Sequence, residues 1–142
     1  MQEALALARA AAEAGEVPVG ALVVKDGVII GRGANRPIGT HDPTAHAEII
    51  ALREAAASLG TDRLLGCDLW VTLEPCAMCA GAIAHARIKR LYYGASDPKG
   101  GAVEHGPKLF AQPTVHHRPE VYGGICEDEA AGLLRDFFVG RR

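Results

Sequence analysis

The pattern of apolar and polar positions divides the chain into short elements of two kinds, separated by turn signals. Residues 2–14 are rich in Ala and Leu, favour helix and stop at Gly15, so they predict a first helix. Val19 to Val24 reads as a strand. Asp26-Gly27 is a two-residue hairpin turn into a second strand, Val28–Arg32, which makes the two antiparallel neighbours. Asp42-Pro43-Thr44 predicts a helix start capped by Asp42 or Thr44, and Ile49, Leu52, Ala56 and Leu59 then recur at the spacing of one buried face. Asp68–Leu73 predicts a third strand, Pro75 opens a helix from Cys76 to about His85, and Ile88–Gly94 predicts a fourth strand. That strand–helix–strand order predicts a right-handed parallel crossover. Residues 97–124, rich in Gly, Pro and His, show no readable periodicity. A last helix is spaced on Ala130, Leu133, Leu134, Phe137 and Phe138, and the two phenylalanines are expected in the core. The alternation of strands and helices after an initial hairpin predicts an α/β fold, a mixed sheet with helices on both faces.

Composition narrows the setting. A chain of 142 residues, 49% of them apolar, is expected to fold as one domain over 1–142 and to bury its core without staples. It has no apolar run long enough to cross a bilayer. Met1-Gln2-Glu3 lacks the basic start of a secretory signal, so a soluble cytoplasmic protein is expected, with no membrane partner. In a reducing compartment the Cys76-Ala77-Met78-Cys79 pair points to metal binding or redox chemistry, whereas Cys67 and Cys126 are expected to be free buried thiols. A net charge of −2 carries no nucleic-acid signature. Between His85 and Arg118, however, Arg87, Lys89, Arg90, Lys99, Lys108 and Arg118 face only Asp97 and Glu104, and Arg141 and Arg142 follow. Such a surplus is either a solvated face or an RNA-binding surface.

The candidate chemistry lies in four residues: His46 and Glu48 in Thr44-Ala45-His46-Ala47-Glu48, and Cys76 and Cys79. An imidazole and two thiolates suit Zn2+, and three protein ligands leave one tetrahedral position open, as catalytic zinc sites do. Both groups fall at predicted helix starts, where the helix dipole favours thiolate. Cys76 and Cys79 stand at i and i+3, on one face. Glu48 stands at i+2 from His46, a spacing that turns it away from ligation and leaves it free to move protons. A structural zinc site has no use for that carboxylate. Cys67 lies at the far end of the third strand, roughly 23 Å away at seven residues of strand rise, too far to be a fourth ligand. His41, upstream of the helix start, remains a further candidate ligand.

His-x-Glu followed by Pro-Cys-x-x-Cys resembles the signature of the zinc nucleoside and nucleobase deaminases. Within that group the chain resembles the bacterial tRNA adenosine deaminases, in Glu16–Ala21, Asn35–Gly39, Asp42–Ile49, Val71–Cys76, Met78–Ala82, Gly94–Lys99 and Asp136–Phe138. The resemblance implies a three-layer α/β/α cytidine-deaminase-like fold with a five-stranded mixed sheet, assembled as a homodimer. It implies hydrolysis of adenosine to inosine at the wobble position of a tRNA anticodon stem-loop. His46, Cys76 and Cys79 would hold zinc and Glu48 would take a proton from water, deliver it to the purine ring and help the amine leave. Asn35 matches an asparagine that contacts the target base, and Asp97 and Lys99 match a loop near the substrate's sugar and backbone. Taken alone, Asn35 is an ordinary strand-end turn residue and Asp97–Gly101 an ordinary solvated turn. Trp70, where tyrosine is usual, and His116-His117-Arg118, where Asn-His-Arg is common, depart from the pattern. Two other readings share the motifs. One is a free-base deaminase acting on guanine, or a cytidine-type enzyme; the other is a non-catalytic zinc module that binds RNA.

Overall fold

Hairpin pairing starts the sheet. In the computed structural model, which describes residues 1–141, helix α1 (Gln2–Glu13) leads into strands β1 (Gly20–Lys25) and β2 (Val28–Ala34). They join at Asp26-Gly27, where φ is 50° and 77°, the positive values a two-residue turn requires. On its other side β1 pairs antiparallel with β3 (Asp68–Leu73). β3 then runs parallel to β4 (Arg90–Ala95), the crossover between them being helix α4 (Ala77–Ala86). β5 (Glu120–Tyr122) extends the parallel half, giving the order β2-β1-β3-β4-β5. The mixed five-stranded α/β sheet thus matches the expectation. β5 and a single 3-10 turn at Leu109–Ala111 are the elements hidden in residues 97–124: three residues each are too few to show a period. The other elements are α2 (Pro37–Thr40), α3 (Ala47–Leu59) and α5 (Glu127–Val139).

Glycines fix which helix covers which face. A Cβ at Gly20 would overlap the Ala4 carbonyl of α1, and one at Gly33 would overlap the Ala47 carbonyl of α3. Gly33 pairs with Ala21, the neighbour of Gly20, and successive strand residues point to opposite faces. Helix α1 therefore lies on one side, in contact with α5, and α3 on the other, beside α4. The larger core forms under α3 and α4, around Val23, Leu69, Val71, Ile83, Ile88 and Leu91. A smaller one joins Leu5, Ala95 and Ala130 beneath α1 and α5. No helix among the described residues is long and apolar enough to cross a membrane.

Four expectations need correction. The helix expected from Asp42–Thr44 begins at Ala47, with His46 as its N-cap in extended conformation (φ −72°, ψ 152°). Asp42 Oδ1 does accept the Thr44 N–H (2.9 Å) and hydroxyl (2.7 Å), but in an isolated turn that continues no helix. Likewise Cys76 is the N-cap of α4 (φ −74°, ψ 176°) and not its first residue, so Pro75 lies just outside the helix. Phe138 is 53% exposed and Phe137 only half-buried, because the apolar stripe of α5 turns outward past Leu134; Arg141 stacks on Phe137 at 4.4 Å. Cys67 is buried as expected, whereas Cys126 is exposed at the start of α5, with φ 54°.

The backbone contact of α3 on β2 should make Gly33→Ala costly, since the added methyl meets main chain between His46 and Glu48. We expect a loss of about 1–3 kcal/mol in urea unfolding, with activity falling as well. Unchanged stability would contradict the close approach.

Candidate metal and catalytic centre

Two helix starts meet at one point. His46 caps α3 and Cys76 caps α4, and their extended backbones aim both side chains into the gap between the helices. Cys79, in the first turn of α4, reaches the same point from the same helix. His46 Nδ1 lies 3.6 Å from Cys76 Sγ and 3.5 Å from Cys79 Sγ, and the three ligand atoms lie within 4.8 Å of one another. Tetrahedral coordination with metal–sulfur bonds of about 2.3 Å and a metal–nitrogen bond of about 2.0–2.1 Å puts nitrogen and sulfur about 3.6 Å apart. The donor set and its spacing thus suit a zinc-sized ion. The hydrogen bond from Cys79, helped by the imidazole, brings the Cys76 thiol down to about 5. The same bond, added to burial, holds Cys79 above the ordinary thiol range. His41 stays outside this cluster, ending α2 in a left-handed conformation.

Glu48 enters from the first turn of α3 and is almost fully buried. Burial pushes its carboxyl up to about 7, and the Cys76 sulfur adds to the rise. A carboxyl poised there can both take and give a proton at neutral pH. His46, Glu48 and Cys76 open onto a cavity of about 240 Å³, which Val17, Val19, Leu73, Asn35 and Asp97 also line. Asn35 is buried at the end of β2. Cys79 lies behind the wall, fully buried. Of the substrate contacts expected from sequence, Asn35 and Asp97 line this cavity and Lys99 stands apart. It lines an adjoining hollow of about 340 Å³ with Ser96, Leu134 and Phe138, and that hollow shares Asp97 and Gly100 with the main cavity. A larger groove of about 390 Å³ between α3 and α4 is mostly apolar and brings together no comparable set of donors.

Two buried carboxylates went unassigned in the sequence, and each holds one side of the cavity rim. Glu16 accepts the N–H groups of Ile38 (3.2 Å) and Gly39 (2.8 Å), which sets α2 beside Asn35. Glu74 accepts from Asp97, Val103, Glu104 and His105 on the opposite side. Burial works against the Glu74 carboxylate, but these hydrogen bonds outweigh it and bring its pKa below the usual range. The available signal was an acid closing an otherwise apolar strand, Leu69 to Leu73, just before Pro75.

Half of the basic surplus is engaged within the fold. Arg90 pairs with Asp68 (3.6 Å) and Glu120 (3.1 Å). Arg118 donates to the carbonyls of Phe110 and Gln112, and Arg87 to that of Ala84. Lys89, Lys99 and Lys108 remain exposed. Arg142 lies outside the described residues.

Residues 1–141 match the family model of the MafB19-like deaminases. A tRNA-specific adenosine deaminase of Agrobacterium fabrum is 58% identical over 142 residues, all of this chain and 93% of that protein. One from Haemophilus influenzae is 51% identical, with 83% of its length covered. A solved structure from work on A-to-I editing by tRNA:A34 deaminases at the wobble position superposes with a TM-score of 0.93 at 58% identity, covering 94% of this chain and 97% of that one. A guanine deaminase from Nitrosomonas europaea gives 0.79 at 28% identity, over 97% and 82%. With a match along all but its final residue, the chain belongs to the MafB19-like deaminase family and groups there with the tRNA-specific adenosine deaminases.

Proposed function

We propose that the chain hydrolyses adenosine to inosine at the wobble position of a tRNA anticodon stem-loop, releasing ammonia. The observation that carries this reading is the convergence of His46, Cys76, Cys79 and the buried Glu48 on one cavity, in a chain 58% identical to a tRNA-specific adenosine deaminase. His46, Cys76 and Cys79 hold zinc, which when bound lowers the pKa of water toward about 7 and so makes a nucleophile available at neutral pH. Glu48 takes a proton from the attacking water, passes it to the purine ring, and protonates the amine that leaves as ammonia. Its burial keeps it basic enough for the first transfer and acidic enough for the last.

Asn35 holds the target base from the β2 side of the cavity, and Asp97 approaches its sugar from the opposite rim. Lys99, in the adjoining hollow, meets the backbone of the flanking nucleotide. Anticodon loops present unpaired bases that can be splayed into such a pocket, so three exposed lysines and a short basic stretch suffice for docking. The apolar groove lined by Ile49, Leu52, Ala56 and Leu64 supports a homodimer. A tRNA substrate puts the enzyme in the cytoplasm. Guanine is the second reading, favoured by the fold shared with guanine deaminase.

Four measurements test this proposal. Metal analysis should find one zinc per chain, lost in Cys79→Ala and kept in Cys67→Ala; zinc retained without Cys79 would refute the ligand set. Ammonia and inosine should form from an anticodon stem-loop and not from guanine or cytidine. Glu48→Ala should keep its zinc while turnover drops by about 10²–10⁴-fold; undiminished turnover would rule out its role. Activity on RNA should also fall steeply as salt rises from about 50 to 200 mM, as counterion release requires. A salt-insensitive rate would favour a free base as substrate.

A further inference from the structure

We propose that Glu74 is the positioning residue of the substrate loop: its buried carboxylate clasps both ends of Asp97–His105 and thereby ties the place of Asp97 to the segment that carries Cys76. For its kinetic consequence the inference rests on the RNA deaminase reading above. The side chain is completely buried, where a carboxylate is costly unless fully hydrogen-bonded. Five donors satisfy it. Oε1 accepts the Asp97 N–H (2.9 Å) and His105 Nδ1–H (2.8 Å), and Oε2 accepts the successive N–H groups of Val103 (3.1 Å), Glu104 (2.9 Å) and His105 (3.2 Å). Three consecutive amides turned inward form an anion-binding nest, here filled by a residue of the same chain.

The donors come from both ends of one loop, so the carboxylate closes it as a cross-link would. The loop adds two contacts of its own: Gly101 N–H to the Asp97 carbonyl (2.8 Å), and Ala102 N–H to the Pro75 carbonyl (2.9 Å). At Gly101 a Cβ would stand only 2.6 Å from Glu74 Oε2, so the loop is seated directly on the carboxylate. Asp97, its N–H held by Glu74, in turn accepts from Gly100 N–H (3.0 Å) through its own side chain, which fixes how it meets the cavity. Glu74 and Cys76 are separated only by Pro75, whose ring removes one backbone freedom between them. Movement of the loop is therefore transmitted to the ligand segment through a short, stiff connection. Glu74 has no spare lone pair for substrate and acts only through the loop.

Glu74→Gln tests the clasp, because an amide has one acceptor oxygen and an NH2 that only donates. Whichever way it turns, either the Asp97 amide or the 103–105 nest faces a donor. We expect zinc content to stay at one per chain, KM for an anticodon stem-loop to rise about tenfold or more, and kcat to stay within about threefold. Amide hydrogen exchange should quicken over 97–105 and not in β1 or β3. Unchanged KM and unchanged exchange in that loop would overturn the proposal, as would loss of zinc or a fall in kcat exceeding the rise in KM. If Glu74→Gln does not fold, His105→Ala removes one of the five donors and leaves the carboxylate in place. Faster loop exchange with a raised KM then supports the clasp, and neither change overturns it. Exchange needs no substrate, so inactivity of the unaltered protein on RNA would defeat the functional reading and leave this inference to be judged on exchange alone.

Discussion

The centre depends on two helices that start at the same place. An N-cap residue has extended backbone while its successor is already helical, so its side chain projects ahead of the helix axis. When His46 and Cys76 both occupy that position, with a nitrogen–sulfur distance of 3.6 Å, two segments thirty residues apart in sequence present their ligands to one point. Neither cap makes a side-chain hydrogen bond to its own helix. The side chains that would ordinarily satisfy the helix start are turned instead toward the shared point, and the free amides there favour negative sulfurs. The rest of the fold serves this meeting: the β3–α4–β4 crossover sets one helix, and the glycine-floored strand β2 sets the other.

Much of this was legible in the chain. Hairpin chemistry at Asp26-Gly27 and short apolar runs between turn signals identified four strands. The spacing of α3 and α5 and the Pro75 start of α4 identified helices, and the conjunction of His-x-Glu with Pro-Cys-x-x-Cys identified the cluster. The misplaced start of α3 has a specific cause. Asp42-Pro43-Thr44 carries every local mark of a helix start, and the Asp42 side chain does bond as a cap would, but His41 and the turn that follows divert the chain. Local capping chemistry cannot reveal whether a helix follows at once or five residues later. Phe138 failed for another reason. Its spacing obeys the helical period, but past Leu134 the apolar stripe of α5 turns outward, and Phe138 meets the edge of Phe137 while staying half exposed. The carboxylates Glu16 and Glu74 escaped notice because their partners are backbone amides, which leave no mark in a sequence.

Three buried carboxylates surround the cavity, and their surroundings separate their roles. Glu48 has desolvation with little hydrogen-bond compensation, so it titrates near neutrality. Glu74 has more donors than any other acid in the core and stays ionised. Glu16 receives two amides and secures the opposite rim. One residue type thus suits proton transfer in one place and loop anchoring in two. The difference lies in how many N–H groups each carboxylate receives.

Away from the cavity, Trp70, Tyr92 and Tyr122 stand in register on β3, β4 and β5. Trp70 and Tyr92 stack at 3.9 Å with planes 8° apart, and Tyr92 and Tyr122 follow at 5.1 Å. Trp70 is the chain's single tryptophan. Its fluorescence is therefore an intrinsic optical gauge of the parallel half of the sheet. Because β5 has only three residues, that gauge reads the docking of the sheet's shortest and least cross-linked strand, without a label and without contact with the catalytic centre.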